Sequence, residues 1–289
     1  MWSVPAHWKS RRIRPGVRAY HDREFPPDAL THIARIVQEE AEASSDSRWE
    51  HELVKDSKSD VYRISDGQTA YYAKHYTNPS LLEWLKALLR PPVRSAAIAE
   101  RLRQDGVPVP TPAAALNIRR GWGRKERVFV SREVRGKLLR DAIADGDLGE
   151  AERVRVAEAL GRIWGRLLSR GYLHMDPITG NFICRESDRR PPVVLIDLDN
   201  IYRLPPPLLR TFRPVARRRL TKFAFRLSAQ LAKNGEPPIG PGEFRAFRRA
   251  YLDAGGPQRP DPKTWWRQVA TVVFLRWRRR YGRPYPYRP

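Results

Sequence analysis

The chain has a single cysteine, Cys184, among its 289 residues. An internal disulfide framework needs cysteines in pairs, and a cysteine-based zinc site needs several thiolates, so both are excluded. Cysteine usage of this kind is typical of a protein in a reducing compartment.

Long hydrophobic runs are missing as well. The longest apolar run near the C-terminus, Val269–Leu275, is far shorter than the roughly 20 residues that a membrane-spanning helix needs. The first residues contain no continuous apolar stretch of the kind found in secretory signals. We therefore expect a cytoplasmic protein that is soluble or attached to the surface of a membrane.

Acidic residues are scarce relative to basic ones. The chain has 32 Asp and Glu against 55 Lys and Arg, a formal net charge of +23. Such an excess predicts an anionic partner, which could be nucleic acid, an acidic membrane surface or a phosphorylated substrate.

Two short stretches concentrate residues suited to one chemistry. His174, Asp176 and Asn181 form the pattern H-x-D-x-x-x-x-N, and the apolar run Val193–Ile196 ends at Asp197. Kinase-type phosphoryl transfer needs a carboxylate for the proton of the attacking hydroxyl, and oxygen ligands that hold Mg²⁺ against the phosphates. The pattern predicts Asp176 as the catalytic base and Asn181 and Asp197 as Mg²⁺ ligands.

The local pattern also predicts how the metal ligands meet. Phe182–Cys184 and Val193–Ile196 have the composition of two short buried strands of a hairpin. Asn181 would enter one strand and Asp197 would leave the other, at the same edge, while the role of Asp199 stays open. In the alternative interpretation these polar residues are ordinary turn formers and strand caps.

Upstream, three segments have the pattern of strands: Glu52–Val54, Val61–Ile64 and Thr69–Tyr76. Asp66 and Gly67 form a strong hairpin turn signal between the last two. Lys74 lies on the third strand, where protein kinases carry a phosphate-binding lysine, so we expect it to contact the nucleotide phosphates. The alternative is an edge-strand lysine that faces solvent.

The remaining nucleotide contacts are predicted from position. Ser57, Lys58 and Ser59 occupy the turn where a glycine-rich loop would fall, and their backbone N–H groups are candidates for covering phosphates, although the turn contains no glycine. Glu100, on a predicted helix over Arg94–Gln104, is either the partner of Lys74 or a solvent-facing carboxylate. Glu133 begins a candidate hinge between lobes and is a further candidate contact to the nucleotide.

Residues 52–204 resemble the lipopolysaccharide kinases, which phosphorylate Kdo or heptose of the inner core and have a protein-kinase-like fold. The resemblance rests on the stretches Tyr71–Lys74, Gly106–Pro110, His174–Asn181 and Ile196–Asp199, with Phe247–Leu252 similar to a late helix of the family. It implies ATP and Mg²⁺ as cofactors, with Lys74 on the phosphates, Asp176 as base, and Asn181 and Asp197 on the metal.

The expected fold class is α+β, a two-lobed protein-kinase-like fold with a small antiparallel-sheet N-lobe and a mostly helical C-lobe. Residues 1–22 are expected to form a basic aromatic arm, either loosely packed or surface-binding. Residues 23–132 would form the N-lobe, and residues 133–289 the C-lobe with the catalytic loop and a basic aromatic tail.

That tail, Thr264–Tyr281 and the residues after it, mixes tryptophans and tyrosines with arginines. This composition suits the headgroup region of an anionic bilayer, where each basic side chain contributes about 1 kcal/mol. RNA could use the same side chains through phosphate contacts and stacking, and a solvated face is the third alternative.

Together these features predict a Mg·ATP-dependent kinase of a sugar hydroxyl on a lipopolysaccharide inner core or similar lipid-linked glycan, at the inner face of the cytoplasmic membrane. No Ala-Pro-Glu signature follows Asp199, and little chain remains for an activation loop, which favours a carbohydrate acceptor over a protein. The alternatives are a kinase of a protein or small molecule, and a catalytically weak kinase-like scaffold that binds RNA or membranes.

Overall fold

The computed structural model describes residues 4–38, 48–55, 59–76, 93–120, 124–185, 192–256 and 262–287. The chain divides into two compact units. The first comprises Met1–Arg101 and Pro110–Glu133, and the second comprises Leu102–Val109 and Val134–Pro289.

The first unit is built on a seven-stranded antiparallel sheet. Its strands are β1 (Lys9–Arg14), β2 (Val17–His21), β3 (Glu50–Lys55), β4 (Asp60–Ser65), β5 (Ala70–Tyr76), β6 (Pro112–Arg120) and β7 (Arg124–Arg132). They are ordered β1-β2-β6-β7-β5-β4-β3 across the sheet. Two helices accompany it, α1 (Pro27–Val37) and α2 (Val93–Gln104), the second of which begins in this unit.

The sheet is apolar on both faces because its strands alternate side chains between two separate clusters. Leu116 of β6 lies with Leu30 and Ile33 of α1 in the larger cluster. Ala115, the preceding residue on the same strand, packs with Ala96 of α2 in the smaller cluster. Strand β6 is therefore covered on both faces, whereas the edge strands β1 and β3 keep exposed side chains.

The N-terminal residues belong to this sheet. β1 and β2 form a hairpin, and β2 pairs with β6 in a register that places Ala19 opposite Leu116. Trp8 is buried at the start of the hairpin. The prediction of a basic aromatic arm over residues 1–22 is wrong from Lys9 onward, because backbone pairing makes this segment the edge of the sheet.

The second unit is mostly helical. Its short strands are β8 (Lys137–Leu138), β9 (Tyr172–His174), β10 (Phe182–Cys184), β11 (Val193–Leu195) and β12 (Ile201–Arg203). Its helices are α3 (Leu139–Ala144), α4 (Glu150–Ser169), α5 (Pro206–Lys233), α6 (Pro241–Asp253) and α7 (Pro262–Tyr281). In the described ranges, no helix is long and apolar enough to cross a membrane.

Helices α4 and α6 approach each other closely because two glycines face the partner backbone. A Cβ atom added at Gly161 would lie 2.3 Å from the carbonyl oxygen of Phe247, and one at Gly165 would lie 2.4 Å from that of Tyr251. Neither position accepts a side chain without moving the helices apart. This contact secures α4, the helix that precedes β9 and the loop from Met175 to Asn181.

The aromatic residues of the tail are interior residues. Trp265, Trp266 and Trp277 of α7 are between 1% and 4% exposed. The Tyr285 hydroxyl donates to the carbonyl oxygen of Ile239 at 2.9 Å, and its ring contacts Trp277. The prediction that these aromatic side chains meet a bilayer or RNA is wrong, because the second unit uses them as its core.

Most other local predictions match the structure within a few residues. The Asp66–Gly67 turn joins β4 to β5, with the backbone N–H of Asp66 donating to Thr69. Strand β6 was not expected, because Pro108, Pro110 and Pro112 mask the pattern before it. The sequence also predicts a helix over Ser80–Leu89, which lies outside the described residues.

Candidate active site

The pairing of β10 with β11 brings Asn181 and Asp197 to the same end of this hairpin. β10 and β11 pair antiparallel with Phe182 opposite Leu195, and the backbone N–H of Ile196 donates to the carbonyl oxygen of Asn181 at 2.8 Å. Asn181 therefore enters the hairpin where Asp197 leaves it. Gly136 allows β8 to pair on the other side of β10, because a Cβ there would lie 2.2 Å from the Cys184 carbonyl oxygen.

The loop that carries Asp176 is held at both ends. Before it, β9 pairs with β12, with His174 opposite Ile201, and the backbone N–H of Met175 donates to Asn200 at 2.9 Å. After it, the Asn181 side chain donates from Nδ2 to the carbonyl oxygen of Asp176 at 3.0 Å. The Asp176 carboxylate is about half exposed and so accessible to a substrate.

Asp197 has a left-handed backbone conformation, with φ 59° and ψ 72°. No other non-glycine residue of the described ranges has a positive φ. This conformation costs on the order of 1–2 kcal/mol, although aspartate and asparagine tolerate it better than other residues do. The turn it makes sends the chain from β11 into the short helical turn before β12 and fixes where the carboxylate leaves the strand.

The donor set at this edge fits Mg²⁺ bound together with a nucleotide. Since Nδ2 of Asn181 is engaged by the loop backbone, Oδ1 is the amide atom suited to a cation. Mg²⁺ is commonly held by one or two carboxylates together with substrate phosphates and water. The described segments contain no group of three or more His, Cys, Asp and Glu that could hold a metal ion.

Helix α5 supplies a residue to this site that the sequence did not identify. Nη1 of Arg226 lies 3.5 Å from Oδ1 of Asp176 and 3.4 Å from the carbonyl oxygen of Pro177. The loop from Met175 to Asn181 contains no basic residue of its own. The only sequence signal was the basic character of α5, which did not show which of its residues would reach the loop.

His174 is a neutral, buried side chain that packs beneath the start of the loop from Met175 to Asn181, against Trp164. It is fully buried, neither ring nitrogen has a hydrogen-bond partner among the described residues, and its ring stacks on Trp164. Burial lowers the pKa of His174 to about 4, against a smaller opposing effect of Asp176. His174 is therefore a packing residue of the loop and carries no charge at neutral pH.

The predicted nucleotide-binding residues belong to the first unit. Lys74 lies on β5 between β4 and β7, which excludes the edge-strand alternative, and its Nζ is 5.2 Å from the centre of the Tyr76 ring. Glu100 lies on α2 and is half-buried. The pairing of Lys74 with Glu100 stays a prediction.

Two further predicted nucleotide contacts are the turn Ser57–Ser59 and the hinge residue Glu133. Ser59 is buried immediately before β4, whereas Ser57 and Lys58 lie outside the described residues. The Glu133 carboxylate forms an ion pair with Arg63, with Nε and Oε1 2.7 Å apart. The Glu133 carboxylate is therefore engaged by Arg63, and its contact with a nucleotide stays a prediction.

Comparison with protein-family models gives no match, and no curated protein matches the sequence. Among solved structures, the chain is similar to WaaP in complex with acyl carrier protein. The two are 16% identical, the match covers 80% of this chain and 87% of that chain, and the TM-score is 0.51. The likeness and the architecture of the two units confirm the predicted α+β, protein-kinase-like fold.

The depressed pKa of His174 predicts a stability that depends on pH. In the unfolded chain the ring takes up a proton below its ordinary pKa of about 6.5, whereas in the folded chain it does so only near 4. The contribution of neutral His174 to the free energy of unfolding is therefore complete above pH 6.5. About 3 kcal/mol of it is lost as the pH falls towards 4. Denaturant unfolding at pH 7, 5.5 and 4.5 should show a steeper loss in the wild type than in His174→Leu. Parallel losses in the two proteins would contradict a neutral buried histidine.

Proposed function

We propose that this chain transfers the γ-phosphoryl group of ATP, with Mg²⁺, to a sugar hydroxyl of a lipopolysaccharide inner core or a similar lipid-linked glycan. The observation that carries the proposal is the arrangement of Asp176, Asn181 and Asp197. A side-chain hydrogen bond joins the first two, and a strand pairing brings the third to the same edge.

The residues would divide the chemistry as follows. Asp176 accepts the proton of the acceptor hydroxyl while the hydroxyl oxygen forms a bond to the γ-phosphorus. The bond from that phosphorus to the bridging oxygen of ADP breaks, and ADP leaves with the electron pair. Asn181 and Asp197 would hold Mg²⁺, which neutralises the charge of the phosphates when bound. Lys74 would contact the nucleotide phosphates.

The chain after Asp199 favours a carbohydrate acceptor. Strand β12 begins at Ile201, and α5 begins at Pro206, so the segment that holds an activation loop in protein kinases is absent between them. Such a loop docks peptide substrates. The motif resemblance to lipopolysaccharide kinases supports the same acceptor class. The alternatives remain a protein or small-molecule kinase and a weakly active scaffold.

Attachment to an anionic membrane surface is the second part of the proposal. On α7, Val272 is 38% exposed and Leu275 is 61% exposed, and Arg278, Arg279 and Arg280 are exposed in the following turn. A helix that shows apolar and cationic side chains together suits the headgroup layer of an anionic bilayer. The exposed residues, rather than the buried tryptophans, would make this contact.

The catalytic part predicts the effect of replacing Asp176. Asp176→Asn should lower the single-turnover rate of transfer to a lipopolysaccharide inner-core precursor by about 10²- to 10⁴-fold, because the general base is removed. ATP affinity should stay near the wild-type value, because Asp176 acts on the acceptor. Transfer of labelled phosphate to inner-core precursors, an aminoglycoside and a generic protein measures both the rate and the acceptor class.

Two further variants serve as comparisons in that assay. Lys74→Ala should weaken ATP binding and slow transfer together, because it removes charge from the phosphates. Asp253→Asn, at the exposed end of α6, makes the same chemical change away from the site. It should leave the transfer rate and the ATP affinity at their wild-type values. Normal transfer by Asp176→Asn would reject the assignment of the base, and labelling of the protein alone would reject the sugar acceptor.

The membrane part predicts a specific loss of vesicle binding. Replacing Val272 and Leu275 together by serine should weaken sedimentation with vesicles that contain phosphatidylglycerol, and added salt should weaken it further by screening the arginines. The matched control replaces Leu53 and Val54, each 50% exposed on β3, by serine. Equal losses in the two double variants would show that α7 is not the membrane-facing element.

A further inference from the structure

Helix α5 presents three basic side chains on one face. Arg219, Lys222 and Arg226 are spaced by three and four residues, which places them on one side of a helix. The helix contains no acidic residue along its 28 positions. It offers no carboxylate of its own to neutralise these side chains.

This face is directed at the catalytic loop. Arg226 contacts the carboxylate of Asp176 and the carbonyl oxygen of Pro177. One turn later on α5, Gln230 accepts a hydrogen bond from the hydroxyl of Thr179 and donates from Nε2 to the carbonyl oxygen of Arg140 at 2.9 Å. These contacts fix the rotation of α5 about its axis, so the basic face cannot turn away from Asp176.

Positive charge outweighs negative charge around Lys222. Burial lowers the pKa of Lys222, and Arg226, Arg219 and Arg276 of α7 lower it further, while Asp176 opposes them. In the described part of the chain, neither Lys222 nor Arg276 forms an ion pair, and the buried Nε of Arg219 has no hydrogen-bond partner. Among the charged groups that act most strongly on Lys222, Asp176 is the only carboxylate, and Arg226 already engages it.

Arg219, Arg226 and Arg276 repel the ammonium group of Lys222, and a half-buried cation without a counter-charge costs free energy. The arrangement is stabilised when an anion joins it. Guanidinium groups bind carboxylates and phosphates through paired hydrogen bonds, and an ammonium adds a point charge, so the fitting ligand is an oxyanion.

We propose that Arg219, Lys222, Arg226 and Arg276, here called the basic cluster, bind a carboxylate or phosphate group that the acceptor carries close to the hydroxyl that is phosphorylated. The assignment to the acceptor, and not to ATP, rests on the proposed function, in which Asp176 meets the acceptor while Asn181 and Asp197 meet the nucleotide. Arg226 joins the basic cluster to the loop at Asp176 and Pro177, on the acceptor side of that division.

The binding test needs no catalysis. Calorimetric titration of the full chain with inorganic pyrophosphate, without nucleotide, should show binding that weakens at least tenfold when Arg219 and Lys222 are both replaced by glutamine. The control replaces Arg218 and Lys233, both exposed on α5, by glutamine and removes the same charge. If both double variants lose the same pyrophosphate affinity, the binding depends on net charge alone, and the proposed anion site is rejected. Arg226 is left intact because it contacts Asp176.

The kinetic test assigns the site to the acceptor. With an acceptor that bears a carboxylate or phosphate, the Arg219→Gln, Lys222→Gln variant should raise the acceptor KM at least tenfold, with little change in kcat or in the KM for ATP. An acceptor without the anionic group should not distinguish the variant from the wild type. A raised KM for ATP with an unchanged acceptor KM would overturn the proposal.

The two proposals fail in different ways. Absence of phosphoryl transfer with site-dependent pyrophosphate binding would reject the proposed function and leave the anion site in place. If phosphoryl transfer is normal and the acceptor KM is the same in the wild type and in the Arg219→Gln, Lys222→Gln variant, the anion site is rejected. The proposed function then stays in place.

Discussion

The candidate site depends on the pairing of β10 with β11. Three residue pairs, from Phe182 opposite Leu195 to Cys184 opposite Val193, determine that Asn181 and Asp197 meet at one edge. A slip of one residue would turn every side chain of the hairpin to the opposite face and separate the two oxygen donors. Phe182, Val193 and Leu195 are fully buried, so the apolar core enforces the register. Burial of Cys184 raises the pKa of its thiol to about 12, which suits a packing residue.

Much of this arrangement could be predicted because its signals are local. The apolar triplets before Arg185 and after Pro192 are too short for helices, and the polar residues between them read as a turn. The alternation around Lys74 and the Asp66–Gly67 signal predicted β4 and β5 in the same way. In each case the residues that determine the structure are neighbours in sequence, and their pattern is visible without the rest of the chain.

The features that could not be predicted depend on distant partners. The hairpin of β1 and β2 joins the sheet through β6, about 100 residues later, and nothing within residues 9–21 marks that partner. The sequence of α7 mixes tryptophans with arginines, which is typical of an amphipathic surface helix. Its tryptophans are nevertheless buried, because they pack against α5 and α6. Arg226 is one of many arginines on its helix. Its contact with Asp176 follows from the tertiary position of α5, which a helical pattern does not determine.

If Asp197 and Asn181 hold Mg²⁺ against nucleotide phosphates, the affinity for ATP should depend on Mg²⁺ through these two side chains. Asp197→Asn is the suitable variant, because asparagine also tolerates the left-handed backbone found there. The wild type should bind ATP more tightly when Mg²⁺ is present, whereas Asp197→Asn should bind it equally with and without the ion. Asp199→Asn is the matched comparison, and loss of the Mg²⁺ enhancement in this variant in place of Asp197→Asn would assign the metal to Asp199. An Asp197→Asn protein that keeps the full Mg²⁺ enhancement of ATP binding would contradict the assignment of Asp197 as a metal ligand.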